Sequence, residues 1–198
     1  MINIAEQLPD IVAKDGNGFH SDRCYVELAK TGSISIAKAV QFLFHCSWLK
    51  EDPLPSILAI REQASLVIKN NFKIYSGAEV YINKNATLIL GSGYISNHVN
   101  LHCFESIEIG EDLAIADHVT IRDSDNHLFN NKPAKMMTQP ITIGDHVWIG
   151  TGVIILKGVH IGNGAVIAAG AVVNKNIPRG CLAGGIPAKV LKKDITWQ

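Results

Sequence analysis

Aliphatic residues return along the C-terminal half of the chain at an unusual interval. From Thr142 to Val173 they fall at Ile143, Ile149, Ile155, Ile161, Ile167 and Val173, one in every six positions. The next residue is glycine or small at Gly144, Gly150, Gly162 and Ala168. The residue four places on is small or β-branched at Val147, Val153, Val159, Ala165 and Ala171. A helix asks for a period near 3.6 and a single strand for alternation by two, so neither explains the pattern. Shorter runs upstream keep the same rhythm, at Ile68, Ile74 and Val80 and again at Ile109, Ile115 and Ile121. The phase slips near Gly91–Gly93, and after Arg122 the segment DSDNHLFNNKPAKMMTQP breaks it.

A period of six predicts a parallel β-helix built from hexapeptides, each giving one short strand and one turn. Three hexads, about 18 residues, close a triangular coil, and coils stack at about 4.8 Å. The aliphatic positions point into a column that one coil cannot bury alone. Helices of this hexapeptide type are left-handed, against the usual crossover rule. The fold expected is therefore all-β: a left-handed parallel β-helix over residues 61–198, with a loop protruding at about 123–140. A short tail or helix is expected after IPRGCLAGGIPAKV, where Pro178, Gly184, Gly185 and Pro187 stop regular coils. Residues 1–60 form a less regular N-terminal elaboration. Within them IAKAVQFLFHCSWLKED fits an amphipathic helix or a pair of buried strands, and DPLP is a plausible boundary.

Composition narrows the function classes. The 198 residues are 47% hydrophobic and 18% charged, with a formal net charge of zero, so there is material for a full core and no basic block to follow a nucleic acid. MINIAEQLPD carries two acids and no apolar run, unlike a secretory signal, and Ile34–Trp48 is too short and too interrupted to span a bilayer. Cys24, Cys46, Cys103 and Cys181 are scattered with no CxxC pair, which suits buried thiols in a reducing cytoplasm.

A β-helix is a scaffold, and chemistry must come from a site placed on it. The loop after Arg122 is the first place to look, because a regular repeat seldom carries so long an excursion without use. It holds His127, with Asp123 and Asp125 close by. An imidazole there can take a proton from a hydroxyl or an amine near neutral pH. Asp125 either orients that ring or shapes the turn. His118 and His146 share one hexad position at outward turns, and His160 shares that of Trp148. His98 and His102 are four apart in a strand-rich stretch, which is not helical metal-ligand spacing, and no metal is expected.

The segment QPITIGDHVWIGTGVIILKGVHIGNGAVIAAGAVVNKNIPRGCLAGGIPAKVLKK resembles the hexapeptide-repeat acyltransferases. The likeness is to the branch of galactoside and maltose O-acetyltransferases and capsule or O-antigen sugar acetyltransferases. Its marks are VWIG at Val147–Gly150, GAVVNKNIP at Gly170–Pro178 and AGGIPAKV at Ala183–Val190, together with ESIEIGEDLAIADHVTIRDSDNH upstream. It covers about residues 65–193. The resemblance implies a homotrimer with acetyl-CoA lying between neighbouring prisms. It makes His127 the base that deprotonates an acceptor hydroxyl, whose oxygen attacks the thioester directly with no acyl-enzyme. It puts Trp148 near the thioester end of the pantetheine arm and Thr151, Ala169 and Gly170 along that arm. Asn174, Lys175 and Lys189 fall near the adenosine phosphates. Asn97 and His98, in YISNHVN, are acceptor-side candidates, as is Asp125.

The function expected is acetyl transfer from acetyl-CoA to a hydroxyl of a sugar or a surface-polysaccharide precursor. Transfer to a nucleotide-linked amino sugar needs the same base and cofactor. A non-catalytic hexapeptide scaffold needs none of His127, Trp148 or NKNIP. A metal-dependent relative of γ-type carbonic anhydrase needs three converging histidines, for which the shared phase of His118 and His146 leaves room.

Overall fold

The aliphatic positions of the hexads depend on one another. A lone coil leaves its Ile and Val wet above and below. Stacking removes them from water, and each fully buried side chain contributes about 1.5–3 kcal/mol. The computed structural model describes residues 2–4, 6–7, 19–21, 23–48, 53–127, 133 and 137–198. The chain winds through it as a left-handed parallel β-helix.

Two short strands, β1 (Ile2–Asn3) and β2 (Phe19–Ser21), come first. Each coil then lays one strand on each of three faces. The first coil is β3 (Cys24–Leu28), β4 (Ser33–Ile36) and β5 (Phe42–Cys46). The second is β6 (Ser56–Ile60), β7 (Ser65–Ile68) and β8 (Phe72–Tyr75). The third is β9 (Glu79–Ile82), β10 (Thr87–Leu90) and β11 (Gly93–Ile95). The fourth is β12 (Asn100–Cys103), β13 (Ser106–Ile109) and β14 (Leu113–Ile115). The fifth is β15 (Thr120–Arg122), the loop, β16 (Ile141–Ile143) and β17 (Trp148–Ile149). The sixth is β18 (Ile154–Leu156), β19 (His160–Ile161) and β20 (Val166–Ile167). The last has β21 (Val172–Val173), a single bridge at Ile177 and β22 (Leu182–Gly184). The first face thus runs β3 to β21, the second β4 to β19 and the third β5 to β22, all parallel. Antiparallel β2, β1 and β23 (Lys189–Lys192) are added at the ends.

The hexad positions fill the axis of the prism. Ile143 pairs with Ile161, Ile149 with Ile167 and Ile155 with Val173. All six are 0–1% exposed, as are Ile68, Ile74, Val80, Ile109, Ile115 and Ile121. Upstream coils are longer than three hexads. Leu58 faces Val80, Val80 faces Leu101 and Leu101 faces Ile121, steps of 22, 21 and 20 residues, whereas Ile155 faces Val173 after 18. The extra residues sit in the corners, which is why the sequence rhythm slips there while the core continues.

Part of the expected N-terminal elaboration is also coil. The IAKAVQFLFHC segment is strand, not helix, and β5 carries a bulge at His45, whose Nδ1 lies 2.8 Å from the Ser56 hydroxyl. At the other end no helix forms. β23 turns back on β22, and a tail follows that hydrogen-bonds through Ile195 to the Gly180 carbonyl. No helix among the described residues is long and apolar enough to cross a membrane.

Candidate active site

The loop leaves the edge between the first and second faces on a built base. Asp123, which follows β15, is buried, and its carboxylate accepts N–H bonds from Phe104, Glu105 and Ser106 of the coil below at 2.7, 2.8 and 2.9 Å. Burial pushes its pKa up, while those N–H groups pull the other way. Two antiparallel arms then form a stem, with Ser124 opposite Thr138, Asp125 N–H on the Met137 carbonyl and Gln139 N–H on the Asp123 carbonyl. Lys157 of the next coil closes the stem, its Nζ 2.7 Å from Asp125 Oδ2 and 3.4 Å from the Met137 carbonyl. Asn126 then turns with φ 60°, its N–H held by Ser124 Oγ, and His127 follows, exposed. Residues 128–132 and 134–136 of the expected loop lie outside the described residues. Asp125 is engaged by Lys157, so its observed partner is a lysine and the stem is what it shapes.

Trp148 sits elsewhere. It projects from β17 on the third face, 45% exposed, between Ala114 and Val166. The C-terminal tail reaches it: the Trp197 ring lies 6.1 Å from that of Trp148 and stacks on His146 at 4.1 Å and 9°. Trp197 Nε1–H donates to the His146 carbonyl, and its own carbonyl lies 3.1 Å from His146 Nε2. Asp112, 2.6 Å from Nδ1, pushes the His146 pKa up.

The remaining candidates divide between two edges. Thr151, Ala169 and Gly170 stack on the edge between the third and first faces, where Gly170 N–H donates to the Thr151 carbonyl at 2.8 Å. Gly152 and Gly170 take φ +69° and +70°, and a Cβ on either meets nothing within 4 Å. That corner is open to whatever lies along it. Asn97 and His98 belong to the same edge further down. Asn97 Nδ2 is held by Ser76 at 2.9 Å, and His98 stacks on His118 at 4.7 Å and 3°. Asn174 and Lys175 are exposed on the edge that carries the loop, and Lys189 is exposed on β23 at the end of the third face. In a triangular prism the edge bearing His127 is the one opposite the face bearing Trp148. One copy therefore places His127, Asn174 and Lys175 along one edge, and Trp148, Thr151, Ala169, Gly170 and Lys189 on the opposite face and the edge beside it, and does not join the two groups.

The metal alternative needs three converging histidines. His118 and His146 share a phase in sequence, yet His118 lies on the third–first edge and His146 on the second–third edge, because successive hexads occupy successive corners. Among the described residues no group of three His, Cys, Asp or Glu is placed to hold a metal ion. All four cysteines are buried and outside disulfides, and burial pushes Cys24 up to about 12 and raises Cys46 and Cys103 as well. Those three are poor nucleophiles. Sequence reasoning passed over Lys157, Trp197 and Arg179; the last lines a hollow of about 410 Å³ on the second face with His160 and Asn163. Nothing in the six-residue rhythm marks Lys157 or Trp197, since both act through a neighbouring coil.

Comparison with known proteins bears on these groups. Residues 140–175 match the family described as bacterial transferase hexapeptide (six repeats). The chain is 36% identical over 141 residues to the polysialic acid O-acetyltransferase of Escherichia coli O1:K1 / APEC, a stretch covering 70% of this chain and 44% of that protein. It is 32% identical over 146 residues to the putative lipopolysaccharide biosynthesis O-acetyl transferase WbbJ of Escherichia coli strain K12, covering 68% of this chain and 74% of that one. Among solved structures, a galactoside acetyltransferase in complex with coenzyme A matches with TM-score 0.52 at 25% identity, over 78% of this chain and 65% of that chain. The chain spans 44%, 58% and 59% of the first three curated relatives, about half their length.

Proposed function

The chain belongs to the bacterial hexapeptide-repeat transferase family, and from that premise we propose that it is an acetyl-CoA-dependent O-acetyltransferase whose active site is completed between two copies of a homotrimer. The acceptor is a hydroxyl of a sugar or a surface-polysaccharide precursor. The observation that carries this reading is the separation just described: His127 and Trp148 stand on opposite sides of one prism.

Threefold symmetry joins them. When three prisms turn their first faces to a common axis, the third–first edge of each comes beside the first–second edge of the next. The groove between is walled by the third face of one copy and the second face of its neighbour, and the His127 loop rises at its rim. The first face suits an interior position, with Ile154 and Leu156 each 37% exposed in the single chain.

The residues present fit the cofactor. The corner at Gly152 and Gly170 leaves room for a slender arm to run close to the main chain. Trp148 offers an indole beside it, and Lys175 and Lys189 are exposed point charges for phosphates. Acetyl-CoA supplies, when bound, an acetyl group activated as a thioester. His127 takes the acceptor O–H proton at a ring nitrogen as the new C–O bond forms, and returns it to the departing sulfur. With Cys24, Cys46 and Cys103 buried and held protonated, direct transfer needs no acyl-enzyme. Four cysteines outside disulfides suit a cytoplasmic setting.

Acetyl-CoA consumption across a panel of free, nucleotide-linked and polymeric sugars tests the reading. His127→Ala is expected to lower turnover by about 10²–10⁴-fold with the fold intact, the range for losing a positioned base. Wild-type turnover in that variant refutes the assignment. Consumption with amino sugars alone shifts the reading to N-transfer.

A further inference from the structure

We propose that the third face, on the N-terminal side of Trp148, is a binding track for an extended anionic glycan, so that the acceptor is an oligomer or polymer and not a free monosaccharide. This rests on the acetyl-transfer reading above and adds the acceptor class to it.

The two directions along that face are already divided. Thr151, Ala169, Gly170 and Lys189 all lie on coils at or beyond Trp148 toward the C-terminus. An acceptor approaching the indole from the other side crosses β14, β11 and β8. The outward residues of those strands stand in register as Lys73, Tyr94, Ala114 and Trp148. Tyr94 is 43% exposed. Ala114 gives only a methyl between the two rings, and their strands are two apart, so a slot about 10 Å between strand axes opens beside Trp148. Below Tyr94 the rings continue. Tyr75 meets Tyr94 edge to face at 6.4 Å, and Trp48 stacks on Tyr75 at 4.5 Å and 10°. Trp48 remains 71% exposed, so it adds little to the core. Beside these rings is a hollow of about 440 Å³ lined by Gln41, Asn71 and Lys73 as well as Tyr75 and Tyr94.

The chemistry selects the occupant. Flat indole and phenol faces suit the C–H faces of pyranose rings, and amides suit their hydroxyl edges. A protein interface core is depleted in lysine, whereas here a lysine and two amides interleave with the rings. Among the described residues Lys73 is the one charged side chain that lines the hollow, and it forms no ion pair with another of them, which favours an anionic chain. The track is continuous with the slot beside Trp148, so one glycan chain can lie on it while a single residue reaches the transfer point.

Calorimetry on the full chain without coenzyme tests this, with sialic acid and galacturonic acid oligomers from monomer to hexamer and neutral glucose oligomers of the same lengths as probes. Affinity is expected to rise at least about tenfold from monomer to hexamer in one of the acidic series, worth about 1.4 kcal/mol. Trp48→Ala and Tyr94→Ala flatten that rise, and Lys73→Ala removes the preference for acidic over neutral chains. Coenzyme A affinity and the mass by light scattering stay as in wild type. Absence of binding in both acidic series, monomers that bind as tightly as hexamers, or variants that keep the wild-type length dependence overturn the proposal. So does a change of mass in Trp48→Ala, which assigns the rings to contact between chains. If length-dependent binding persists while no acceptor consumes acetyl-CoA, the transfer reading falls and the track stands.

Discussion

Asp123 shows how much a single side chain contributes to holding the base of the loop that carries His127. Its two oxygens hold three backbone N–H groups of the coil below, and its own carbonyl takes the Gln139 N–H at the far arm of the stem. Asp123→Ala strands the three donors at a buried corner. Because an unmet buried donor costs about 1–3 kcal/mol, a loss near 3 kcal/mol is expected in chemical denaturation, with turnover falling further than stability explains. A variant as stable as wild type contradicts the capping role. Sequence pointed at this loop through His127 but gave Asp123 no more weight than Asp125. What separates them is reach across coils: Asp123 turns inward to the coil below, and Asp125 turns outward to Lys157 above. Neither partner lies within the loop's own stretch of sequence.

At the scale of the coil, the six-residue rhythm was enough to place the inward column, and it failed only where corners hold extra residues. The first coil meets the second only after 32 residues, Val26 facing Leu58, so β3 to β5 hid within a region that reads as irregular, although Phe42 and Phe44 are fully buried. The antiparallel return of β23 was equally hidden, since glycine and proline announce only that regular coils stop. Gly110 marks a close approach of coils. A Cβ on Gly110 lies 2.4 Å from Asp145 Oδ1 and 2.8 Å from the Gly144 carbonyl carbon. Ile155→Asp tests the column directly: an unpaired carboxylate at a site 0% exposed is expected to cost about 4 kcal/mol or more in urea denaturation. Native-like stability in that variant removes Ile155 from the interior.

For the whole molecule, the proposed reading makes the site depend on assembly. One prism carries the two groups of candidate residues on opposite sides, and its first face bears Ile154 and Leu156 partly bare. Light scattering is expected to give three times the 21.5 kDa chain mass, and the pair Ile154→Lys with Leu156→Lys to reduce it to one, with loss of turnover. A monomeric but fully active wild-type protein contradicts that arrangement. The candidate residues were legible in sequence because short motifs carry them. Their division between opposite sides was not, because it depends on which corner each hexad occupies, and the loop displaces that count.

The most direct test uses two inactive variants, His127→Ala and Trp148→Ala, unfolded together and reassembled in equal amounts. If each site takes its imidazole from one copy and its indole from the next, about a quarter of the sites in the mixture regain both residues, and turnover returns to about that fraction of wild type. A mixture that stays as inactive as its two components means that one chain builds the site alone, and contradicts the account.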